Sequence, residues 1–366
     1  ITVQAINDGQ VHINGQGASI PIALLDNDFF TIKGINAYNS NNNVVDVSST
    51  VDSLILQCVV AWDAVDGGVG KTVFQISGTN ALLEDVAGFG VGRYIFSTTQ
   101  GSDNAIVRRA FGIWQYSTAI GPKAVYAQAY NSNNVTIENS IGTIDSTMGG
   151  TSIDQPYGIF VGVPLSTAGR NTPKEYGNIA YRLSTQAQGS PVLPYNFWLE
   201  FADYTVKDLV SYMQVGVNAT PQGFLLGDNT LNGTAPTFTN GNRIDNRASP
   251  VADTVHADWT VTGLVNDATG VWTRICYQYL NGTLGSTPLW PWPMNQRIID
   301  AMVIDGQTGV DVTATITSMF GAIPAACSSE SSTPAITAVT ASNISSTGAV
   351  ITWTTDLAAD YQVNYG

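Results

Sequence analysis

Six short segments of the chain place a charged or amide side chain directly after an apolar residue. These side chains are Lys33, Gln57, Glu84, Arg108, Glu138 and Lys207. In four of the segments the following residue is Asp85, Arg109, Asn139 or Asp208. A guanidinium such as that of Arg108 or Arg109 can hold a substrate carboxylate, and a carboxylate such as that of Glu138 or Asp208 can transfer a proton. With Lys207 as a further base, such a set would suit cleavage of an acidic or neutral glycan.

The same positions permit a purely structural role. Glu84, Arg108 and Glu138 fall on successive segments, so they can pair along the axis of a stacked coil. Each exposed pair contributes about 0–1 kcal/mol, and alternating signs also avoid like charges on neighbouring strands. An inert coil needs this complementary stacking, so the structural interpretation is favoured and the catalytic one is the alternative.

The spacing of these segments indicates the element that positions them. Their apolar residues Ile32, Leu56, Leu83, Val107 and Ile137 are 24, 27, 24 and 30 residues apart. The longer interval to Val206 contains Ile179, which divides it into 42 and 27 residues. In addition, Ala37–Asn42 returns unchanged as Ala129–Asn134, 92 residues later, which equals four units of 23.

Each unit consists of short β-branched strands separated by Asn- and Gly-containing turns. A single unit is too short to bury its own apolar face, whereas stacking at about 4.8 Å per unit makes a continuous core. About nine units would give a rod on the order of 45 Å long. In such a strand the residue after each apolar anchor points outward, because side chains alternate.

Two of the units resemble the coils of right-handed parallel β-helix proteins, the group of pectate lyases, polygalacturonases and many surface proteins. The resemblance lies in Asn133–Asn139 and Asp203–Asp208 and covers about residues 1–285. It implies an all-β fold: a right-handed parallel β-helix, or solenoid, with a small C-terminal helical cap and a partial fibronectin type III-like β-sandwich. For activity it implies little, since the group contains both enzymes and inert proteins.

The chain departs from the enzymes of that group. The polygalacturonase motifs Asn-Thr-Asp, Asp-Asp, Gly-His-Gly and Arg-Ile-Lys are missing, and the nearest string, from Arg243 through Asp245 to Arg247, lacks the Lys. These three residues are a second-choice site. No clustered Asp set resembles a pectate-lyase calcium site, so no cofactor is expected and calcium would enter only for a lyase. Zinc is not expected either, because no pair of cysteines has metal-ligand spacing.

The segment 286–326 is expected to form a cap with short helices. Met294, Ile298 and Met302 share one helical face, and Asp311–Phe320 is a second short helix closed by Gly321. The cap is expected to cover the open end of the coil. Trp290 and Trp292 are interpreted as packing residues, with a carbohydrate-binding platform as the alternative.

Residues 327–334 are Ser-rich and predict a linker. Beyond it, residues 335–366 resemble the start of a fibronectin type III module. Its expected strands are Ala335–Val339, Gly348–Thr355 and Tyr361–Tyr365, with Trp353 in the core. The partial module is expected to be truncated or completed by a strand of another molecule.

Three cysteines and five sequons carry further expectations. Cys58 is expected to be a small buried thiol, and Cys276 and Cys327 can pair in an oxidising compartment. Asn-x-Ser/Thr sequons begin at Asn134, Asn218, Asn232, Asn281 and Asn343. They permit glycosylation without indicating it.

Composition narrows the range of partners. Charged residues are 11% of the chain and the formal net charge is −14. Nucleic acid and anionic membranes are therefore poor partners, since both need a basic patch, and no apolar run is long enough to span a membrane.

The sequence thus favours a non-enzymatic structural protein, located outside the cell or at its surface, such as a stalk or fibre subunit. It is expected to self-associate into a homo-oligomer or filament through the ends of the coil and the appended β modules, and a glycan is a further candidate partner. The alternative is a polysaccharide lyase or glycoside hydrolase acting on an extracellular glycan.

Overall fold

The computed structural model describes residues 1–67, 70–99, 101–119, 123–129, 132–145, 158–163, 172–186, 195–200, 203–217, 221–227, 234–280, 289–327, 336–345 and 348–355. Most of its strands belong to two all-parallel sheets of 17 and 9 strands. The chain is a parallel β-helix, as the repeat predicts. Each turn of the coil, here called a rung and counted from the N-terminus, adds strands to three stacked columns.

Nine rungs and part of a tenth are present among the described residues. Rungs one to three contain β1 (Thr2–Gln4), β2 (Val11–Asn14), β3 (Ile22–Leu24), β4 (Thr31–Lys33), β5 (Ile35–Tyr38), β6 (Val45–Val47), β7 (Ile55–Gln57), β8 (Val60–Trp62) and β9 (Thr72–Ile76). Rungs four to six contain β10 (Leu82–Glu84), β11 (Ala87–Val91), β12 (Tyr94–Thr98), β13 (Ile106–Arg108), β14 (Phe111–Tyr116), β15 (Ala124–Ala129), β16 (Thr136–Glu138), β17 (Ile141–Ile144) and β18 (Gly158–Val163). The later rungs contain β19 (Lys174–Tyr176), β20 (Ile179–Arg182), β21 (Tyr195–Leu199), β22 (Thr205–Met213), β23 (Gln222–Leu226), β24 (Thr237–Asp245), β25 (Thr254–Val255) and β26 (Thr260–Val265).

The first column stacks the predicted apolar anchors in register. Ile32, Leu56, Leu83, Val107 and Ile137 are paired rung to rung, as expected from their spacing. The next member of the column is Glu175, not Ile179, and it pairs with Val206. The prediction of Ile179 is wrong because a carboxyl occupies the apolar position, and Ile179 begins the second column instead.

The second column has small residues facing the interior of the coil. They are Ala37, Ala61, Gly88, Gly112, Gly142 and Ala180. A Cβ added at Gly112 would lie 2.2 Å from Val125 Cγ1 and 3.3 Å from a ring carbon of Phe96. The small side chains therefore leave room for bulky side chains of the third column.

The third column fills that room with a stack of aromatic rings. Successive rungs contribute Phe74, Phe96, Tyr126, Phe160, Phe197 and Phe224. Neighbouring rings are stacked with centroids 4.4–5.1 Å apart. These spacings are close to the distance between strands, so the stack follows the coil axis.

The similarity between Ala37–Asn42 and Ala129–Asn134 does not reflect four equal units. Ala37 lies in the second column, whereas Ala129 ends a strand of the third column. The two segments share residue types that suit any bend of the coil. Asn39 and Asn134 both adopt a positive φ, at 57° and 54°, a conformation that Asn tolerates well.

The coil ends earlier than predicted. Its last strand, β26, stops at Val265, and helix α1 (Val271–Leu280) occupies part of the region assigned to the β-helix up to residue 285. Helices α2 (Asn295–Ile304) and α3 (Val312–Phe320) follow, and a short 3₁₀ turn covers Ala325–Cys327. Both predicted helices are present, with Ile298 and Met302 on the buried face of α2 and Asp311 as the N-cap of α3.

These helices lie along the side of the coil instead of across its end. The lateral strap, defined as Leu289–Cys327, packs against the outer face of the second column and forms a core separate from the coil interior. Arg297 donates to Asn36 in the second rung and to the carbonyl of Cys58 in the third. Farther along the strap, Phe320 contacts Tyr212 in the eighth rung. The outer face of the second column is apolar, which explains why it needs a cover.

Strands β27 (Ile336–Ser345) and β28 (Gly348–Thr355) form an antiparallel hairpin. Their positions include the first two strands expected of a fibronectin type III-like module. The side chain of Trp353, residues 328–334 of the expected linker, Ala335 and the expected strand Tyr361–Tyr365 lie outside the described residues.

Candidate functional site: the outward ladder

The outer face of the first column carries the predicted charged residues in one continuous line. This outward ladder consists of Gln4, Lys33, Gln57, Glu84, Arg108, Glu138, Tyr176, Lys207, Thr239 and Thr262. The order along the axis places a cation between two anions at rungs four to six. The contacts of these side chains therefore decide between the structural interpretation, in which they pair along the axis, and the catalytic one, in which they converge on a substrate.

At its centre the outward ladder is paired from rung to rung. Arg108 Nε donates to Glu84 Oε2 at 2.6 Å, and Gln57 Nε2 donates to Glu84 Oε1 at 3.2 Å. Glu138 follows Arg108 in register, and burial raises its pKa although the Arg108 charge opposes that shift. Glu84 is thus held by neighbours on both sides along the axis.

Directly after the ladder the chain turns at a left-handed residue in every rung from the second to the tenth. This bend column consists of Gly34, Cys58, Asp85, Arg109, Asn139, Gly177, Asp208, Asn240 and Gly263, with φ between 45° and 77°. Gly and Asn adopt such angles most readily. Because the same positive φ recurs in each of these rungs, the residues of the bend column stack above one another in a line separate from the outward ladder.

Arg109 is the most enclosed charge of the bend column. Its side chain is 1% exposed, and its Nε donates to Asp85 Oδ1 at 2.8 Å while a second guanidinium nitrogen also contacts Asp85. Burial raises the pKa of Asp85, against the attraction of the Arg109 guanidinium. Arg109 also reaches Glu84 Oε1 at 3.2 Å, which joins the bend column to the outward ladder.

Lys207 and Asp208 do not join this group. Asp208 lies three steps along the bend column from Arg109, through Asn139 and Gly177, or about 14 Å at the usual strand spacing. Lys207 Nζ is 3.7 Å from Asp208 Oδ2, so these neighbours partly neutralise each other. The five candidate catalytic residues therefore form two separate sets and not one cleft.

The second-choice site does assemble, together with residues the sequence did not indicate. Arg247 Nε donates to Asp245 Oδ1 at 2.8 Å, and Arg243 lies 3.3 Å from Asp245 Oδ2 and 3.4 Å from Asp253 Oδ1. Arg182 is fully buried nearby, where burial and the charge of Arg247 lower its pKa to about 9. These ion pairs lie within the ninth rung, and the bond from Arg247 to the Pro221 carbonyl at 2.7 Å joins the group to the eighth rung.

Trp290 and Trp292 belong to the strap, and their side chains lie in the core that it forms with the second column. They are 0% and 1% exposed, and Trp292 packs edge-on against Phe111 with centroids 5.5 Å apart. Neither indole has a face open to a sugar, which agrees with the favoured interpretation as packing residues and not with the carbohydrate-binding alternative. The indoles instead fill the space between the strap and the second column.

The cysteines separate into one bridge and one thiol. Cys276 in α1 and Cys327 at the end of the strap form a disulfide with Cα atoms 5.3 Å apart. Cys58 lies in the bend column, where it packs against the core between the strap and the second column. It is half-buried and not fully buried as expected. Burial raises the pKa of its thiol to about 11, so the thiolate is disfavoured at neutral pH.

The sequon at Asn134 belongs to a further line of side chains. Asn134 Nδ2 donates to Asn104 Oδ1 at 2.9 Å, and Asn104 Nδ2 donates to Asn80 Oδ1 at 3.1 Å. A glycan on Asn134 Nδ2 would disturb this ladder. Asn218, Asn232 and Asn281 lie outside the described residues, as does the side chain of Asn343.

Sequence reasoning missed a polar group inside the coil. The Tyr204 hydroxyl lies 2.6 Å from Gln128 Oε1 and 2.8 Å from Glu175 Oε1, and all three residues are buried. Burial raises the pKa of Glu175 to about 8. Since the hydroxyl has one proton, the arrangement is satisfied when a protonated Glu175 donates to Tyr204 and Tyr204 donates to Gln128. No local pattern of the sequence signals this group, because Tyr204 lies 29 residues after Glu175.

A second missed group joins the coil to the strap. The carboxyl of Asp63 in the third rung accepts from the Val91 backbone N–H at 3.0 Å and faces Asp305 at the end of α2. Burial and the neighbouring Asp305 charge raise the pKa of Asp63 to about 7. The two carboxyls are therefore compatible when they share a proton.

Among the described residues, no group of three or more His, Cys, Asp or Glu side chains is placed to hold a metal ion. None of the described helices is both long and apolar enough to cross a membrane. No family model matches the chain, and no curated protein or solved structure is significantly similar to it.

Proposed function

We propose that this chain is a non-enzymatic structural protein, located outside the cell or at its surface, in which the β-helix acts as a rigid rod. The pairing within the outward ladder carries this proposal. Glu84, Arg108 and Arg109 bond to partners on adjacent rungs, so their charges hold rungs together and are not presented to a substrate. Asp208 lies too far from Arg109 to share a reaction centre with it.

The strap supports the same proposal. It contacts side chains from the first to the eighth rung, through an ion pair, hydrogen bonds and one aromatic contact, which ties successive rungs into one body. The disulfide between Cys276 and Cys327 fastens its far end to α1. Such bonds persist in oxidising surroundings, which favours an extracellular or surface location.

Self-association is the second part of the proposal. Strand β26 pairs with β24, and among the described residues no strand pairs with its other edge. Val261 and Leu264 on this strand are half-buried. An edge of this kind can add a strand from a second copy.

Electron microscopy and sedimentation of the purified chain over a range of concentrations test the proposal. We expect association that rises with concentration, and we expect Val261→Lys to weaken it because a charge on the strand would be buried by a partner. Asp300→Lys, an exposed change on α2, is the matched control. A monomer at every concentration would refute self-association through this edge. Depolymerisation of glycans that Arg108→Gln abolishes would favour the lyase or hydrolase alternative instead.

A further inference from the structure

The lateral strap consists of two halves that are fastened to the rest of the chain in different ways. The first half contains helix α2 and is held directly on the coil. Arg297 pairs with Asp8 in the first rung and bonds to Asn36 in the second. Just after the helix, Gln307 exchanges amide hydrogen bonds of 2.6 and 3.1 Å with Gln115 in the fifth rung. Polar side chains of the coil therefore hold this half in place.

The second half, residues 311–327, is here called the flap, and it is fastened through helix α1. The Trp272 indole N–H in α1 donates to the carbonyl of Phe320 at 3.0 Å, and the two rings meet edge-on with centroids 6.3 Å apart. Phe320 also meets Tyr212 of the coil edge-on. At the end of the flap, the disulfide between Cys276 and Cys327 joins it covalently to α1.

The start of the flap is fixed to the first half of the strap. Asn295 Nδ2 donates to Asp311 Oδ1 at 3.1 Å, and the Trp292 backbone N–H donates to Thr313 Oγ1 at 3.0 Å. Between this point and Phe320, a groove of about 480 Å³ separates helix α3 from the sixth and seventh rungs. The flap thus spans the groove, with its start held by hydrogen bonds and its end held by the disulfide.

We propose that the flap is a redox-controlled cover, which the disulfide between Cys276 and Cys327 keeps closed. In oxidising surroundings the bridge holds α3 across the groove. A dithiol reductant supplies two electrons and two protons, so that the S–S bond breaks, both cysteines become thiols and the reductant closes its own disulfide. The end of α3 can then leave α1, while its start remains bound to Asn295.

Opening of the flap uncovers an apolar part of the coil. Tyr181 and Tyr212 on the second column are 1% and 7% exposed in the closed form, and Ile316 of α3 is fully buried in the same core. Exposed apolar surface of this kind is a site of association. Cys276 and Cys327 are themselves buried, so a reductant reaches them when the flap opens locally.

Hydrogen–deuterium exchange of the full chain tests the proposal. Cys327→Ser removes the bridge, and Cys58→Ser, the same change at the free thiol, is the matched control. A bridge between residues 51 positions apart restrains opening by a factor of about 30 to 1000. We expect the amides of α3 to exchange faster by about this factor in Cys327→Ser, while those of α2 change by less than about threefold.

Reduction of the folded protein is a second measurement, which does not depend on whether Cys327→Ser folds. The oxidised chain is treated with dithiothreitol, and the new thiols are trapped with iodoacetamide. We expect alkylation of Cys276 and Cys327 without a change in far-UV circular dichroism, together with the same loss of protection in α3. Binding of a dye that recognises apolar surface should rise at the same time.

Any of three results overturns the proposal. Helix α3 keeps its protection without the bridge, α2 and α3 lose protection together, or the bridge is reduced only when the whole chain unfolds. The role as a rod does not depend on these results, because it is tested by association of the oxidised chain. A chain that remains monomeric but opens α3 on reduction loses self-association and keeps the flap.

Discussion

The first and second columns of the coil present opposite chemistry to the outside, although one bend separates them. On the first column the outward ladder is polar and half-buried, as at Glu84 and Arg108. On the second column the outward side chains are apolar and almost completely enclosed, as at Trp62, Phe89 and Phe111. The strap makes this difference, because it converts one outer face into a second core.

The comparison teaches that position within a rung does not set the energetic value of a side chain. An ion pair on the outward ladder remains in contact with water, so it contributes little. An indole under the strap loses its water entirely and gains packing contacts. The bend column lies between these extremes, since Arg109 is as enclosed as the indoles but is ion-paired with Asp85.

The largest effect is expected beneath the strap. Trp292→Ala should lower the free energy of unfolding by about 3–5 kcal/mol, because it leaves a cavity against Phe111. Urea denaturation followed by circular dichroism measures this loss. Val303→Ala, at a position 60% exposed on the same strap, should cost less than about 0.5 kcal/mol. Equal losses for the two variants would mean that the strap does not form a core with the coil.

A slightly smaller loss is expected in the bend column. Arg109→Asn should cost about 3 kcal/mol, because it leaves Asp85 buried without its guanidinium partner. Asn is chosen because it tolerates the positive φ of 50°. The double variant with Asp85→Asn should recover part of the loss in a denaturation cycle. If the loss in the double variant equals the sum of the losses in the two single variants, the two side chains are not coupled.

The third prediction concerns the contact between coil and strap, which should make the free energy of unfolding depend on pH. The pKa of Asp63 is raised to about 7 in the folded protein from an ordinary value of 3.8. The folded state therefore binds the proton more tightly, and stability present below pH 4 is lost as the pH rises toward 7. Glu175, with a pKa raised to about 8, adds a loss in the same direction.

Asp63→Asn should remove its share of this loss, on the order of 4 kcal/mol at pH 8. The measurement is urea denaturation at pH 5 and pH 8 for both proteins. The variant should approach the unaltered chain at pH 5 and exceed it at pH 8. Parallel behaviour at the two pH values would show that Asp63 ionises freely beside Asp305.

The first column could be predicted from the sequence because its period is visible in single residues. Ile32, Leu56, Leu83 and Val107 recur at nearly equal intervals, and each is followed by the polar residue that points outward. The prediction failed at Glu175, where a buried carboxyl takes the apolar position. Its partner Tyr204 lies 29 residues later, and no local pattern signals that contact.

The second column and the strap could not be predicted for a different reason. Val60, Ala61 and Trp62 are apolar on both faces, so alternation gives no sign of what covers the outer one. The amphipathic face of α2 was visible in Ile298 and Met302, but its partner was not. A helix can cover an end or a side of a coil, and only long-range contacts such as those of Arg297 with Asn36 and of Phe320 with Tyr212 distinguish them.

The smallest effect is expected on the outward ladder itself. Arg108→Gln should lower the free energy of unfolding by about 0–1 kcal/mol, because the Arg108 side chain is 22% exposed and its pairing with Glu84 competes with water. The amide can still donate to Glu84, and Glu84 retains Gln57 and Arg109. The same denaturation assay compares the loss caused by Arg108→Gln with that caused by Arg109→Asn, one residue away. A higher salt concentration should make the loss caused by Arg108→Gln smaller still. A loss as large as that of Arg109→Asn would mean that the ladder, like the bend column, is screened from solvent, and the contrast between the two outer faces of the coil would have to be abandoned.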